Sequence, residues 1–414
     1  MENKNLIIAL DVGTTKVCTA IARPLEKNFE VIGVGSYPSF GLKKGAVVNI
    51  EKTISSIQQS LSQAKLMAGV NEIENVYVGI AGNHIYCFNS SGVIPVKGKE
   101  ITAQDVERVL DAAKAVLIPS DREVLHVIAQ EYRVDNTRGI KDPIGMCGSR
   151  LEVNVHIVTG KTTLIHNLVK CVEQAGLKPE KIILQPIASS LSVLSSEERE
   201  LGVILLDIGG GTTDLAVWKD GSLVHSQIIP LGGSHFTNDL AYALKITHNE
   251  AEKIKIQNGS VIQDATQLKT SISTQGLTGT KPKEVELSMV SEVLEARAIE
   301  LFTVVKQILK DNDLNRLITG GIVITGGGAL IKGLPELAEF FFDRPVKLGY
   351  PQALGGMTSV MQAPKFATVL GLLIDARSAV TVVAKNNVNE DDFTRPNRSA
   401  KWSESIKNIL KEVF

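Results

Sequence analysis

The residues best suited to chemistry lie in two short stretches, and each sets an aspartate beside a run of glycine and threonine. In Leu6-Ile-Ile-Ala-Leu-Asp-Val-Gly-Thr-Thr-Lys16 and in Val203-Ile-Leu-Leu-Asp-Ile-Gly-Gly-Gly-Thr-Thr-Asp214, four or more apolar residues lead into an Asp and then a Gly/Thr turn. Such a turn gathers backbone N–H groups and small hydroxyls in one place, which suits a chain of phosphates. Gly209, Gly210 and Gly211 let backbone approach a ligand with no Cβ in the way. Asp11 and Asp207, at the strand ends, can hold the hydrated Mg2+ that accompanies a nucleoside triphosphate, since Mg2+ takes a few carboxylates and keeps its waters. One such turn alone is equally an ordinary β-turn, because Gly and Asp are common turn residues. Two copies with matched flanks, and a third apolar strand ending Thr325-Gly-Gly-Gly328, point to phosphate binding.

The elements that must position these residues follow from the same echo. Asp11 and Asp207 stand 196 positions apart in a chain of 414. Each unit reads as a β-hairpin with a polar tip, so the spacing predicts two similar halves facing each other. Around them strands and helices alternate: a helix over 53–68, a strand over 76–81, a helix over 162–175 stopped by Gly176, and a strand over 181–184. Between 82 and 150 a separate module of strand, helix (103–117) and strand (125–134) interrupts the first half. In the second half, helices over 236–258 and 285–310 flank a polar stretch, 260–283, and a buried strand follows from 321. This is α/β grammar.

Composition narrows the classes. Hydrophobic residues at 43% and charged residues at 21% describe a globular chain, long enough for more than one domain. A formal net charge of -1 offers no global field for nucleic acid. The four cysteines form no C-x-x-C pair, which predicts isolated thiols rather than disulfides or zinc sites. The five apolar residues before Asp11 are too few for a secretory signal, and no run of 18 apolar residues occurs.

The two hairpins and the 322–328 strand resemble the motifs of the actin-like ATPases, the superfamily of actin, Hsp70 and sugar kinases. That resemblance implies an α/β, two-lobed fold of duplicated ribonuclease-H-like domains with ATP and Mg2+ between the lobes. It puts Asp11, Gly13, Thr14, Thr15 and Lys16 on one side of the phosphates and Asp207, Gly209, Gly210, Gly211, Thr212 and Thr213 on the other. Gly326, Gly327 and Gly328 would lie against adenosine, and Gln185 would orient water near the γ-phosphate; Gln185 before Pro186 also reads as a helix-capping side chain. Glu252 and Lys255 match the pair directed at ribose and adenine, although an i, i+3 charge pair is often only a solvated face. Asp207 and Asp214 are the base candidates, and hydrolysis should be slow because the amide of Gln185 cannot accept a proton.

Three stretches narrow the resemblance further: Asp142-Pro-Ile-Gly-Met-Cys-Gly-Ser-Arg150, Leu231-Gly-Gly-Ser-His-Phe-Thr-Asn-Asp239 and Thr325-Gly-Gly-Gly-Ala-Leu-Ile-Lys-Gly333 are similar to the FtsA family of bacterial cell-division proteins. The resemblance divides the chain into a first-lobe core (1–81 and 159–202), an inserted small subdomain (82–158), and a second-lobe core (203–233 and 306–384, the latter also returning to the first lobe) with its own small subdomain (234–305). A linker (385–400) and an amphipathic helix (401–414) follow. The implied function is an ATP-binding scaffold that self-assembles, anchors FtsZ of the Z ring to the membrane and recruits later division proteins. Its expected location is peripheral, on the cytoplasmic face of the inner membrane at the division site. An ATP-consuming kinase or chaperone ATPase, or an actin-like pilus-assembly protein, is the alternative. The FtsZ tail is expected on the second-lobe small subdomain, with Arg297 as its candidate cation or, equally, as an ordinary helix ion pair.

The final segment, Ser399 to Phe414, puts Trp402, Ile406, Ile409, Leu410, Val413 and Phe414 on one helical face, flanked by Lys401, Lys407 and Lys411. Such a helix suits the plane of an anionic membrane surface, or docking on its own core or on a partner. The polar tether before it, and the family resemblance, favour the membrane.

Overall fold

The computed structural model describes residues 6–25, 29–97, 100–262, 270–276, 282–352, 354–356 and 361–387, with side chains as far as residue 377. The first lobe begins with strands β1 (Ile7–Val12), β2 (Lys16–Pro24) and β3 (Phe29–Pro38). A small hairpin, β4 (Leu42–Lys43) and β5 (Ala46–Val47), leads to helix α1 (Ile50–Ala68) and strand β6 (Asn75–Ile80). An insert follows: β7 (Ile85–Pro95), α2 (Ala103–Lys114), β8 (Arg122–Val134), β9 (Thr137–Ile140) and β10 (Arg150–Lys161). Helix α3 (Thr162–Gln174), strand β11 (Lys178–Leu184) and helices α4 (Gln185–Val193) and α5 (Ser196–Leu201) complete this half. The second lobe opens with β12 (Val203–Ile208), β13 (Thr213–Lys219) and β14 (Ser222–Ile229), then α6 (Gly233–Leu244), α7 (His248–Asn258), β15 (Ser271–Gln275), β16 (Pro282–Glu286) and α8 (Leu287–Asp311). It closes with β17 (Ile322–Thr325), α9 (Leu334–Phe342), β18 (Val346–Leu348) and α10 (Ala367–Asn387).

The two main sheets have the same topology. Their strand orders are β3-β2-β1-β6-β11 and β14-β13-β12-β17-β18. In each, the first strand of the lobe runs antiparallel to the second and parallel to the fourth. The echo between residues 6–20 and 203–217 is therefore the visible part of a duplicated sheet. Every residue of β1 and β12 is buried, as expected of central strands covered on both faces.

Helices supply the covers. On one face of the first sheet, Ile57 and Leu61 of α1 and Ile165, Leu168 and Val172 of α3 join Leu10, Ile21 and Val78. On its other face lies α10, which belongs to the second half of the chain, through Val369, Leu370, Leu372 and Leu373. The exchange is reciprocal: Val193 and Leu194, at the end of α4, pack among Leu205, Ala216, Trp218 and Val323 of the second sheet. Helices α4 and α10 cross so closely that a Cβ on Gly371 would stand 1.7 Å from the carbonyl oxygen of Ala188. Trp218 Nε1 also donates to Ser190 Oγ on α4 at 2.8 Å.

The insert is a four-stranded sheet, β7-β10-β8-β9, with α2 on one face and a core of its own that includes Val109, Leu110, Tyr132, Leu151 and Val153. It leans on the edge strand of the second lobe. His156 bonds Asn89 Oδ1 at 2.7 Å and Ser226 Oγ at 2.8 Å, while Gln130 Nε2 donates to the carbonyls of Leu223 and Val224. Burial pushes His156 down to about 3, so its ring is neutral in this junction.

Several elements differ from the sequence expectation. The helix expected over 236–258 is two, because Lys245 turns left-handed at φ 51° and Thr247 caps a new helix by accepting from Glu250 N–H. The polar stretch 260–283 is not wholly irregular: β15 and β16 pair within and just beyond it, and Val285 belongs to β16, not to the following helix. Helix α10 continues to Asn387, three residues into the expected linker. The rest of that linker and the 401–414 segment lie outside the described residues. All four cysteines are free thiols. Among the described residues no helix is long and apolar enough to cross a membrane.

Candidate functional site

The tips of the two hairpins form the site. Each is closed by the same bond, from Gly13 N–H to the Lys16 carbonyl at 3.0 Å and from Gly209 N–H to the Thr212 carbonyl at 2.9 Å. They meet tip to tip. A Cβ on Gly210 would lie 2.3 Å from Thr15 Oγ1, and one on Gly211 would lie 2.6 Å from Thr14 Oγ1, so neither position has room for a side chain. Helix α6 starts directly behind the second tip: Gly233 and Ser234 N–H groups donate to the carbonyls of Gly209 and Gly210, both at 2.8 Å. The positive end of that helix is thus aimed at the glycine turn.

A cavity of about 220 Å3 opens beside the tips. It is lined by Asp11, Gly13, Thr14, Thr15, Lys16, Gln185, Asp207, Gly209, Gly210, Gly211, Thr212, Asp214, Gly326 and Gly327, all residues that the sequence singled out. Register explains the carboxylates. Asp207 and Asp214, seven apart in sequence, face each other across β12 and β13, and Asp11 faces Gly79 across β1 and β6. Gly79 leaves the space that Gln185 fills, and Gln185 Nε2 donates to Asp11 Oδ1 at 2.7 Å. The strand just before Gln185 is held by His126 of the insert, whose Nε2 accepts from Leu184 N–H at 3.0 Å. Burial keeps that ring neutral, down to about 3.

Three buried acids in one cleft resist ionising. Burial pushes Asp11 up to about 6, with Lys16 opposing and the Asp207 charge reinforcing. Asp207 is raised by burial too, against hydrogen bonds from Thr368 and Ser189. Asp214 stands well above the usual carboxylate range through burial and then the charge of Asp207. Its Oδ1 is buried and has no hydrogen-bond partner. Such a group calls for a cation or a water. Among the described residues no three His, Cys, Asp or Glu side chains converge closely enough to hold a metal unaided. The donor set therefore fits Mg2+ held through its waters, and the threonine hydroxyls and tip N–H groups fit phosphate oxygens.

Other expected residues stand elsewhere. Thr213 turns away to donate to the Leu231 carbonyl at 2.8 Å, and Gly328 packs on Ile208. Glu252 and Lys255 do not line the cavity. Lys255 Nζ bonds Glu252 at 2.7 Å, Thr237 at 2.8 Å and the Gly233 carbonyl at 3.1 Å, so the pair braces α7 against the start of α6. Glu252 instead borders a broader hollow of about 560 Å3 with Asn249, Lys253 and Gln275. Arg297, on α8, forks onto Asp239 of α6 with bonds of 2.5 and 2.9 Å and also reaches Glu300. The cavity further includes Gly45, Ala81, Pro364, Lys365 and Thr368, which no sequence motif marked. Pro364 before an apolar run was the one available signal, as a helix start.

Comparison with known proteins decides the family. Residues 82–159 match the profile of the SHS2 domain inserted in FtsA, and residues 204–371 match that of the cell division protein FtsA. The cell division protein FtsA of Pseudomonas aeruginosa is 43% identical over 415 residues, covering 100% of this chain and 99% of its own length. The chain belongs to the FtsA family. FtsA of Escherichia coli is 38% identical over 90% of both chains. Among solved structures, the PilM-PilN type IV pilus biogenesis complex superposes with a TM-score of 0.67 at 16% identity, over 89% of this chain and 98% of that one. MreB5 of Spiroplasma citri bound to ADP gives 0.54 at 17% identity, over 94% and 100%. At such identities the structural likeness speaks for the fold alone, and that fold is the actin-like one. As a member of that family the chain is a cell division protein.

Proposed function

We propose that this FtsA-family protein binds Mg2+ and ATP between its lobes and self-associates at the cytoplasmic face of the inner membrane. There it anchors FtsZ and recruits later division proteins. The observation that carries the nucleotide reading is the pair of identically closed hairpin tips around one cavity with an unsatisfied buried carboxylate. The MreB5 structures bound to ADP and to AMPPNP support it as fold relatives.

The nucleotide supplies the triphosphate and its metal the countercharge; the residues do the rest. Thr14, Thr15 and Thr212 and the tip N–H groups orient phosphate oxygens. Asp11 and Asp207 would hold the hydrated Mg2+. Gln185 has its nitrogen committed to Asp11, which leaves Oε1 to accept from and orient a water. Because an amide cannot take that water's proton, the base falls to Asp207 or Asp214. Burial raises both, which disfavours the ionised form a base needs, so turnover should be slow. Membrane attachment belongs to the 401–414 segment, through Trp402, Ile406, Ile409, Leu410, Val413 and Phe414. The FtsZ tail belongs to the α6–α8 region, where Arg297 can meet it only by sharing the guanidinium with Asp239.

Co-sedimentation with anionic liposomes, with and without ATP and FtsZ, tests the whole reading. Full-length protein should pellet and carry FtsZ with it. A chain lacking residues 401–414 should stay in the supernatant while binding ATP normally by calorimetry. Equal pelleting of the shortened chain overturns the membrane reading, and absence of ATP binding in the full chain overturns the nucleotide reading.

A further inference from the structure

Lys365 is an exposed cation at the cleft. It lines the same cavity as Asp11 and the glycine turns, and it enters from the segment that returns the chain from the second lobe to the first. Its Cβ faces Gly327, where a Cβ would stand 3.9 Å away. Lys16 Nζ donates to its carbonyl oxygen. The two ammonium groups flank one ring: Lys16 lies 4.6 Å and Lys365 5.2 Å from the centroid of Phe366, which is held rigid in the core at 5% exposure. Among the described residues neither lysine forms a carboxylate ion pair within 4.0 Å.

Two features of this placement are unfavourable to Lys365 itself. Two like charges are held over a single ring. Lys365 also sits two residues before α10, a helix of 21 residues with no acidic residue in its first turn. A cation there opposes the helix dipole, which favours negative charge at that end. Lys16, Lys365 and the start of α10 thus supply a positive wall of the cavity and the three aspartates a negative one, the two meeting where Thr368 donates to Asp207. A group that is negative on one side and metal-bound on the other satisfies both walls, and a metal-chelated di- or triphosphate is such a group.

We propose that Lys365 is a second lysine on the phosphate chain of the bound nucleoside di- or triphosphate, and that it sets preference by phosphate number. The proposal rests on the nucleotide reading above. Calorimetry on the full chain with Mg2+ and ATP, ADP or AMP, for wild type, Lys365→Ala and Lys365→Arg, tests it. Lys365→Ala should weaken ATP binding roughly tenfold or more, the usual weight of a charge-assisted hydrogen bond, and leave AMP binding within about twofold. Lys365→Arg should restore most of the loss. The nucleotide-free Lys365→Ala protein should melt no lower than wild type, since the helix dipole loses an opposing charge. Unchanged ATP affinity in Lys365→Ala, or an equal loss for ATP, ADP and AMP, overturns the assignment while leaving the cleft in place. A wild-type protein that binds none of the three overturns the nucleotide reading itself.

Discussion

Replacing Asp11 with Asn should make the nucleotide-free protein more stable at neutral pH while disabling the site. Asp11 is 8% exposed, and its carboxyl is raised from an ordinary 3.8 to about 6. A carboxyl raised on folding is unfavourable to the folded state wherever it must ionise. The penalty is absent below about pH 3, where both states are protonated, grows between about 3 and 6, and is complete above that. At about 1.4 kcal/mol for each pH unit, the full penalty is about 3 kcal/mol. Asn carries no charge and still offers an oxygen to Gln185 Nε2, so the local hydrogen bond survives. Urea unfolding in EDTA, followed by fluorescence of the buried Trp218, reads the difference. The variant should exceed wild type by about 2–3 kcal/mol at pH 7.5 and by only about 0.5 kcal/mol at pH 4. Saturating Mg2+ and ATP should reverse the order, because only wild type gains binding energy. A variant less stable than wild type at pH 7.5, or a gap of the same size at pH 4, would refute the reasoning.

Three further outcomes are expected. Gly210→Asp drives a side chain into Thr15 and a charge toward Asp11 and Asp207, so ATP affinity by calorimetry should fall by roughly a hundredfold or more with the circular dichroism spectrum unchanged. Gly371→Ala forces α4 and α10 apart at a 1.7 Å approach and should lower the unfolding free energy by about 1–3 kcal/mol in urea titration. Asp239→Asn releases one charged partner of Arg297, and if that guanidinium receives the FtsZ tail the tail's affinity should rise in fluorescence anisotropy; an unchanged affinity makes Arg297 an internal brace.

The hairpin tips were legible because their function and their geometry use the same residues. A strand that must be buried on both faces, end in Asp and turn through glycine has few alternatives, and it occurs twice. Gln185 was legible beside Pro186 for a similar reason. Lys365 and Thr368 were not. They reach the cavity only because the chain returns from the second lobe to the first, and nothing local marks a lysine that meets Lys16, 349 positions away. Glu252 and Lys255 show the opposite failure, since an i, i+3 pair has one spacing whether it faces a ligand or, as here, ties two helices together. The break between α6 and α7 escaped because the apolar spacing continues across it, while Lys245, a good helix former, takes the left-handed turn.

The exchange of α4 and α10 has a consequence for what counts as a folding unit. Each lobe contributes the helix that seals the other's sheet, so a chain cut near Gly202 would yield two pieces, each with an apolar sheet face laid bare. Burying such faces is most of what holds a sheet domain together, and neither piece can do it alone. The halves should therefore be insoluble or molten when made separately and should reassemble when made together. The duplication that looks like two domains in the sequence has become one cooperative body, in which separation of the lobes and unfolding of either one are the same event.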